Sequence, residues 1–242
     1  EQTPLIAAQG IAILLEAGVP PGVVQLLPCR GETVGAQLTG DDRVRGVMFT
    51  GSTEVATLLQ RNIASRLDAQ GRPIPLIAET GGMNAMIVDS SALTEQVVVD
   101  VLASAFDSAG QRCSALRVLC LQDEIADHTL KMLRGAMAEC RMGNPGRLTT
   151  DIGPVIDSEA KANIERHIQT MRSKGRPVFQ AVRENSEDAR EWQSGTFVAP
   201  TLIELDDFAE LQKEVFGPVL HVVRYNRNQL PELIEQINAS GY

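Results

Sequence analysis

Short apolar runs rich in β-branched residues alternate with longer segments of helical spacing along most of this 242-residue chain. Runs of four to six residues are typical of buried strands, and the segments between them carry apolar residues three and four positions apart. This alternation indicates parallel strands joined by crossover helices, which is an α/β fold. Open parallel sheets of this kind bind ligands beyond the carboxyl ends of their strands.

The pattern predicts individual elements and some of their ends. Gly18 is a plausible helix C-cap, and Asp157 or Ser158 is a good helix start. The charged stretch at residues 183–190 is predicted to be a solvated loop or a short helix. The predicted strands cover residues 23–27, 44–49, 75–78, 85–88, 117–121, 197–205 and 218–223, and the predicted helices cover residues 4–17, 31–38, 52–67, 94–109, 123–141, 157–173 and 229–239.

Charge and hydropathy exclude several classes of function for this segment. The chain has 31 acidic and 22 basic residues, a net charge of −9, and no stripe of Lys and Arg that would form a nucleic-acid groove. It has no apolar run of roughly 18 residues that would span a membrane, and no secretory signal. Because it begins at Glu1 and ends without a clear stop, we expect it to be a piece of a longer protein.

The four cysteines form neither a zinc motif nor a disulfide framework, so no metal site is predicted and a reducing cytoplasm is the expected location. Cys29, Cys120 and Cys140 are interpreted as structural, since free cysteine usually packs as a small apolar side chain. Cys113 differs because it follows Gly110-Gln111-Arg112, where a cationic side chain is its neighbour in sequence. A cysteine acts as a nucleophile when its surroundings favour the thiolate or supply a base.

Glu79 is the candidate for that base. It closes a predicted strand, precedes Gly81-Gly82 and lies 34 residues before Cys113 (113 − 79). A carboxylate at the end of a parallel strand stands where α/β proteins bind ligands. Taken alone, Glu79 is more simply a solvated loop acid and Cys113 a buried inert thiol.

Two further motifs suit a dinucleotide. Phe49-Thr50-Gly51-Ser52 ends a strand and opens a helix, where backbone N–H groups favour a phosphate, although an ordinary N-cap is the simpler explanation of this motif taken alone. No complete G-x-G-x-x-G fingerprint is present. Glu214-Val215-Phe216-Gly217-Pro218 reads as a tight turn that puts an acid and an aromatic ring on one side of an extended segment, where the acid could accept ribose hydroxyls.

In their order and spacing these motifs resemble the NAD(P)-dependent aldehyde dehydrogenases, and the resemblance covers essentially the whole chain. It implies that Cys113 is the nucleophile and Glu79 the general base. It also implies a Rossmann-like NAD-binding domain, of which residues 1–81 are the C-terminal half, followed by an α/β catalytic domain in residues 82–242, with both domains incomplete. The implied cofactor contacts are Gly51 and Ser52 at the pyrophosphate, Glu214 and Phe216 at the nicotinamide and its ribose, Glu1 at the adenosine ribose, and Gly31 and Gly35 beside the adenine.

Within that superfamily the chain is most similar to 1-pyrroline-5-carboxylate dehydrogenases, and especially to the dehydrogenase part of bifunctional flavoenzymes that oxidise proline to glutamate. The similarity lies in residues 79–85, 111–115 and 150–157. It implies that Arg112 and Ser114 contact the amino-acid end of L-glutamate γ-semialdehyde. The implied setting is a cytoplasmic homo-oligomer, peripheral at the inner membrane, with a small-molecule aldehyde as substrate and FAD in a separate domain.

The implied activity is NAD-dependent oxidation of the semialdehyde through a cysteine thiohemiacetal and thioester in the intact parent. The choice between NAD and NADP stays open. Because the resemblance also implies an oxyanion-hole asparagine upstream of Glu1, we expect the fragment alone to have little turnover. Two alternatives remain: another aldehyde dehydrogenase, including one that transfers the acyl group to CoA, and a scaffold domain without catalysis. An intact Cys113 and Glu79 pair speaks against the scaffold.

Overall fold

The structure is a computed structural model that describes residues 2–181 and 194–241. It divides into two compact units, Glu1–Thr80 and Gly81–Tyr242. Glu1 itself and the charged stretch at residues 183–190 lie outside the described residues. None of the helices in the described ranges is long and apolar enough to cross a membrane.

The described part of the first unit, residues 2–80, contains three α-helices and a two-stranded parallel sheet. Its elements are α1 (Pro4–Glu16), a π-helical turn (Gly31–Gly35) that continues into α2 (Ala36–Gly40), β1 (Val47–Thr50), α3 (Thr53–Ile63) and β2 (Leu76–Glu79). Strands β1 and β2 pair in register from Val47 opposite Leu76 to Thr50 opposite Glu79. Their carboxyl ends therefore lie side by side.

The strand predicted at residues 23–27 is wrong. The segment forms a turn and then an irregular stretch, with Val23 70% and Leu27 55% exposed. A strand requires a neighbouring backbone to accept and donate its ladder hydrogen bonds, and no described residue pairs with this segment. The apolar run alone could not reveal whether such a neighbour exists. The helix predicted from residue 31 is present, but its first turn is π-helical.

Within residues 81–181 and 194–241, the second unit is built on a five-stranded sheet in the order β3-β4-β7-β6-β5. All neighbouring strands are parallel except β5, which runs antiparallel to β6. The three-residue β5 was not predicted because it is too short to show a periodicity. The elements are β3 (Ala85–Val88), α4 (Thr94–Phe106), β4 (Val118–Gln122), α5 (Asp123–Glu139), α6 (Ser158–Ser173), β5 (Val178–Gln180), β6 (Thr201–Leu205), β7 (Val219–Tyr225) and α7 (Leu230–Asn238), with 3-10 turns at Asp107–Gly110, Phe208–Glu210 and Arg227–Gln229.

The core of the second unit lies on the central strands of this sheet. All five residues of β4 are buried, and Leu119 and Leu202 are fully excluded from solvent. Helices α4 and α5 pack beside each other, and both contribute buried residues to the same cluster. Continuous apolar runs are expected for parallel strands that are covered on both faces. The core thus fixes β4 and β7, and the predicted site residues Cys113 and Glu214 lie on the segments that precede these strands.

Helix α4 ends earlier than predicted, at Phe106, and this early end shapes the segment before Cys113. Ser108 and Ala109 adopt positive φ values of 55° and 54°, inside a 3-10 turn. Gly110 follows with a φ of +66°, and a Cβ atom there would lie 2.1 Å from the Gly217 carbonyl oxygen. Only glycine fits so close to that carbonyl, so the turn and the loop at residue 217 are in direct contact.

Candidate active site

The predicted base and the predicted pyrophosphate turn meet at the end of the β1–β2 sheet. The Gly51 N–H donates to the Glu79 carbonyl oxygen at 3.1 Å. The Glu79 residue is exposed at the last position of β2. Ser52 is the N-cap of α3, and its Oγ accepts the Val55 N–H at 3.2 Å. Serine thus caps the helix as the alternative interpretation required, while its own hydroxyl proton is not used by that bond.

Position 51 requires a glycine for a local reason that the sequence did not reveal. A Cβ atom at this position would lie 2.5 Å from the ring of Phe49. The Phe49 ring therefore folds back over residue 51.

The residues predicted to lie beside adenine occupy the π-helical turn. Gly31 is exposed and Gly35 is half-buried, and a Cβ atom added to Gly35 would meet nothing within 4 Å. Open space beside Gly35 is compatible with a ligand. Glu1, predicted at the adenosine ribose, lies outside the described residues.

In the second unit, Cys113 is exposed on a loop that Asn84 holds. The Asn84 Nδ2 group donates to the carbonyl oxygens of Cys113 at 2.7 Å and of Ala115 at 2.9 Å. The Asn84 carbonyl in turn accepts the N–H groups of Arg117 and Val118. The side chain and the backbone carbonyl of Asn84 together bind residues 113–118, which fixes the loop against the start of β3.

Gln111 forms a second anchor for the same loop. Its amide nitrogen lies 3.2 Å from the Ser108 carbonyl and 3.3 Å from the Pro154 carbonyl, and its amide oxygen accepts the Ile156 N–H at 2.8 Å. The side chain therefore ties the loop before Cys113 to residues 154–156. Both anchors are uncharged amides that satisfy backbone groups.

The two residues predicted to contact substrate differ in their surroundings. The Arg112 guanidinium donates from Nη2 to the Ala103 carbonyl of α4 at 2.8 Å, with the Ser104 carbonyl at 3.4 Å. Its buried Nε atom has no partner among the described residues. Ser114 is exposed next to Cys113. The role of both residues in substrate binding stays a prediction.

Glu214 and Phe216 both contact Arg117, the residue immediately before β4. Arg117 is fully buried, and its Nε and Nη2 atoms donate to Oε1 of Glu214 at 3.0 Å and 2.8 Å. The Arg117 Cζ atom lies 5.1 Å from the centre of the Phe216 ring, within the range of a cation–π contact. Burial lowers the pKa of Arg117, and the hydrogen bonds and charge of Glu214 oppose that shift.

A pair of histidines, His167 and His221, contacts the backbone of Arg117 through His221. His221 of β7 is fully buried, with Nδ1 3.2 Å from the Arg117 carbonyl oxygen and Nε2 2.9 Å from Nε2 of His167 in α6. Burial and the neighbouring His167 lower the pKa of His221 to about 3, and burial lowers the pKa of His167. The carbonyl assigns the proton of neutral His221 to Nδ1, so His167 donates from Nε2.

A cleft of about 590 Å³ lies within the second unit beside these groups. Helix α6 forms one wall and residues 210–216 form the other. Gln111, His167, Glu214 and Phe216 line it. Phe216 is 45% exposed, so its ring face can meet a ligand.

The other thiols are unlike Cys113. Cys120 is buried in β4, and burial raises the pKa of its thiol to about 12. Cys29 and Cys140 are half-buried, and each contacts a nearby backbone carbonyl. The prediction that Cys120 is buried is confirmed. Within residues 2–181 and 194–241, no cluster of three or more His, Cys, Asp or Glu side chains suits a metal ion.

Sequence reasoning did not identify Arg117 and Asn84 as parts of this arrangement. Arg117 was included in a predicted strand without a role. Its signal was present, since a single cation inside the apolar run of residues 115–121 must find partners when the strand is buried. Asn84 gave no comparable signal, because an asparagine after glycines is common in turns.

Comparisons with known proteins concern the family and the fold of the chain. The profile of the aldehyde dehydrogenase family matches residues 1–242. The chain is 93% identical over all 242 residues to the bifunctional protein PutA of Salmonella typhimurium, of which it spans 18%. It is 32% identical over 220 residues to the 1-pyrroline-5-carboxylate dehydrogenase of Bacillus cereus, a match that covers 90% of this chain and 41% of that protein.

The fold is likewise similar to a solved structure. Betaine aldehyde dehydrogenase from Staphylococcus aureus, in complex with NAD⁺, superposes with a TM-score of 0.86 and 29% identity. The match covers 98% of this chain and 45% of that one. The predicted α/β fold is confirmed. The chain belongs to the aldehyde dehydrogenase family.

Proposed function

We propose that this chain supplies the nucleophile, the general base and part of the NAD site of a dehydrogenase that oxidises L-glutamate γ-semialdehyde to L-glutamate. The observation that carries the proposal is the exposed Cys113 on a loop held by Asn84 and Gln111. A nucleophilic thiol must be accessible, and a fixed loop reduces the cost of bringing it to the substrate carbon.

The substrate is inferred from the relatives. One is named 1-pyrroline-5-carboxylate dehydrogenase and another bifunctional protein PutA, which agrees with the subfamily resemblance. 1-Pyrroline-5-carboxylate is a cyclic imine, and its hydrolysis gives the open-chain L-glutamate γ-semialdehyde. The open-chain form carries the aldehyde on which a thiol can act. Arg112 and Ser114, on either side of Cys113, are proposed to bind its amino-acid end.

In the proposed reaction the Cys113 thiolate forms a bond to the aldehyde carbon and gives a thiohemiacetal. Its oxyanion requires hydrogen-bond donors, of which the Cys113 backbone N–H is one. Loss of a hydride from the same carbon leaves a thioester. Glu79 then takes a proton from water, the water oxygen attacks the thioester carbon, and the carbon–sulfur bond breaks to release the thiolate and the carboxylic acid, which ionises in water.

NAD, when bound, supplies the hydride acceptor. The chemistry of the proposed contacts fits it. The N-terminus of α3 with the Ser52 hydroxyl can donate to a phosphate, and the Glu214 carboxylate can accept ribose hydroxyls. The half-exposed ring of Phe216 offers a flat apolar surface to the nicotinamide.

The wider setting is part of the same proposal. It consists of a cytoplasmic homo-oligomer, peripheral at the inner membrane, with FAD in a separate domain. The chain spans 18% of its curated PutA relative, so these properties belong to the whole protein. Purification of the full-length protein with bound flavin, and its sedimentation in solution, test them.

The first test of the activity uses the full-length protein and L-glutamate γ-semialdehyde, with NADH absorbance as the readout. Cys113→Ser should lower kcat/KM by at least about 10³-fold, because the chemical step loses its nucleophile. Cys140→Ser is the matched control and should retain wild-type kinetics. A wild-type protein without NAD-dependent activity, or a Cys113→Ser variant with nearly full activity, contradicts the proposal.

The second test separates the base from the nucleophile. Glu79→Gln should keep a rapid first turnover of NADH while steady-state turnover falls by about 10²–10⁴-fold, since general base catalysis contributes about that much. Product analysis with and without CoA distinguishes hydrolysis from acyl transfer. Formation of acyl-CoA in place of glutamate would assign the CoA-dependent alternative.

A further inference from the structure

One buried side chain connects the two loops on which the proposed chemistry depends. Arg117 has five guanidinium N–H groups, and five contacts are present. Two go to Oε1 of Glu214 at 3.0 Å and 2.8 Å. The other three go to the carbonyl oxygens of Gly110 at 2.7 Å, Arg112 at 3.0 Å and Gly217 at 3.4 Å. The donor set of the arginine is thus fully used.

The acceptors come from distant parts of the sequence. Gly110 and Arg112 belong to the segment that leads into Cys113, whereas Glu214 and Gly217 belong to the loop before β7, about a hundred residues later. Both segments are therefore held by the same guanidinium. A shift of one loop changes hydrogen bonds to the other.

The carboxylate of Glu214 is fixed from more than one side. Its side chain is 12% exposed, and Arg117 holds Oε1. A Cβ atom added to Gly81 would lie 1.6 Å from Oε2, so the backbone at Gly81 is in close contact with the second oxygen. A carboxylate with this little freedom presents its lone pairs in a defined direction.

We propose that Arg117 is a positioning residue that couples cofactor binding to the placement of the nucleophile. It orients the Glu214 carboxylate to accept ribose hydroxyls, and it fixes the backbone immediately before Cys113. The inference rests on the proposed function for the roles of Glu214 and Cys113. Arginine suits this task better than lysine, because its planar group reaches four acceptors in fixed directions while an ammonium has three donors.

The test uses Arg117→Lys in the full-length protein, which keeps the charge and removes the planar donor set. The NAD dissociation constant should rise by about 10- to 100-fold, the range expected when a charge-assisted hydrogen bond is lost. The rate at which iodoacetamide alkylates Cys113 should change when saturating NAD is added to the wild type. In the variant, NAD should leave this rate unchanged. Labelling is followed by mass spectrometry of the peptide that contains Cys113.

Arg134→Lys is the matched control. Arg134 also pairs with a glutamate, Glu204, but that pair joins α5 to β6 and involves neither the loop of Cys113 nor the loop before β7. This variant should retain wild-type affinity for NAD and a wild-type alkylation response. A similar loss in both variants would assign the effect to general destabilisation and overturn the inference.

A double-variant cycle shows whether Arg117 acts through Glu214. Glu214→Gln alone should weaken NAD binding, and the combination with Arg117→Lys should weaken it little further, because one interaction is removed twice. Additive losses would overturn the inference, as would an NAD affinity of Arg117→Lys within about twofold of the wild type. If Arg117→Lys does not fold, Glu214→Gln decides alone: an unchanged alkylation response to NAD refutes the coupling.

The outcomes are distinguishable from failure of the proposed function, since binding and alkylation need no turnover. A wild-type protein that binds NAD and shows the coupled alkylation, but oxidises no semialdehyde, would remove the proposed substrate and keep the role of Arg117. A protein that oxidises the semialdehyde, with Cys113 alkylation insensitive to NAD, would keep the proposed substrate and remove the proposed role of Arg117.

Discussion

The two units differ in how their apolar side chains are covered. In the second unit one continuous cluster, from Met83 to Leu233, includes the central strands and the helices that flank them. Among the described residues of the first unit, the buried apolar side chains are Ala56, Ile63 and Ile74, while Leu5 of α1 is 84% exposed. The second unit has its own hydrophobic core. The described part of the first unit has regular helices and strands but no comparable core.

The comparison teaches that secondary structure and core formation are separate requirements. Helix α1 is apolar on all sides and contains no buried residue. A helix with such a composition is typical of a fully covered position. Its sequence is sufficient to form a helix, but the stability of the helix in a protein comes mainly from packing. The proposed nucleophile therefore lies on the packed unit, and the proposed base lies at the end of a two-stranded sheet in the less packed one.

The largest expected effect is a difference in hydrogen exchange between the two units of the 242-residue chain. Backbone amides of β4 and β7 should exchange at least about 10³-fold more slowly than those of α1 and β1, because core strands open with free energies close to the global value. Exchange followed by mass spectrometry on peptides from each unit measures this. Equal protection of α1 and β4 would show that the first unit has an interior after all.

The second prediction concerns single side chains. Leu119→Ala in β4 should lower the free energy of unfolding by about 2–5 kcal/mol, since it removes a fully buried leucine from the close-packed sheet. Leu58→Ala in α3, where the leucine is 56% exposed, should change it by less than about 0.5 kcal/mol. Urea unfolding followed by circular dichroism measures both. Similar losses would contradict the proposed division between the units.

The sequence predicted most elements of the fold, for a physical reason. Strand β3 and the Asp157 cap of α6 follow from local patterns, and both are confirmed by the structure. The segment at residues 23–27 has the same apolar character but lacks a described partner strand. Local pattern reveals what a segment prefers, not whether another strand lies beside it.

The arrangement around Arg117 was beyond local patterns for another reason. Arg117 and Glu214 are separated by 97 positions, and their contact depends on the order of β4 and β7 in the sheet. The left-handed conformation of Ala109 was equally hidden, because alanine rarely adopts it and only tertiary contacts impose it. Sequence reasoning therefore identified the proposed reactive groups and missed the residues that hold them.

The third prediction compares two glycines with positive φ inside the second unit. Gly110→Ala should destabilise it by about 2–4 kcal/mol, because the new Cβ atom would meet the Gly217 carbonyl in addition to the backbone strain. Gly175→Ala, after α6, has a φ of +78° with nothing within 4 Å and should cost about 1 kcal/mol. Urea unfolding compares them. Equal costs would mean that the contact between the two loops relaxes freely.

The fourth prediction is a pH dependence confined to the packed unit. His221 has a pKa of about 3, below the usual 6.5, because burial and His167 disfavour its charged form. Its contribution to stability is therefore complete above about pH 6.5 and is lost as pH falls toward 3, at up to about 1.4 kcal/mol per pH unit. His167, whose pKa is also lowered, adds to the loss in the same direction.

His221→Asn isolates this contribution, since asparagine keeps a donor toward the Arg117 carbonyl but has no titrating group. The variant should be less stable at neutral pH and should lose less stability than the wild type between pH 6.5 and 4, when urea unfolding is compared across this range. His128→Asn, at an exposed position of α5, is the control and should keep the wild-type slope. If His221→Asn has the wild-type slope, the buried histidine pair does not couple proton binding to the packing of the sheet, and the packed unit owes its acid sensitivity to surface carboxylates instead.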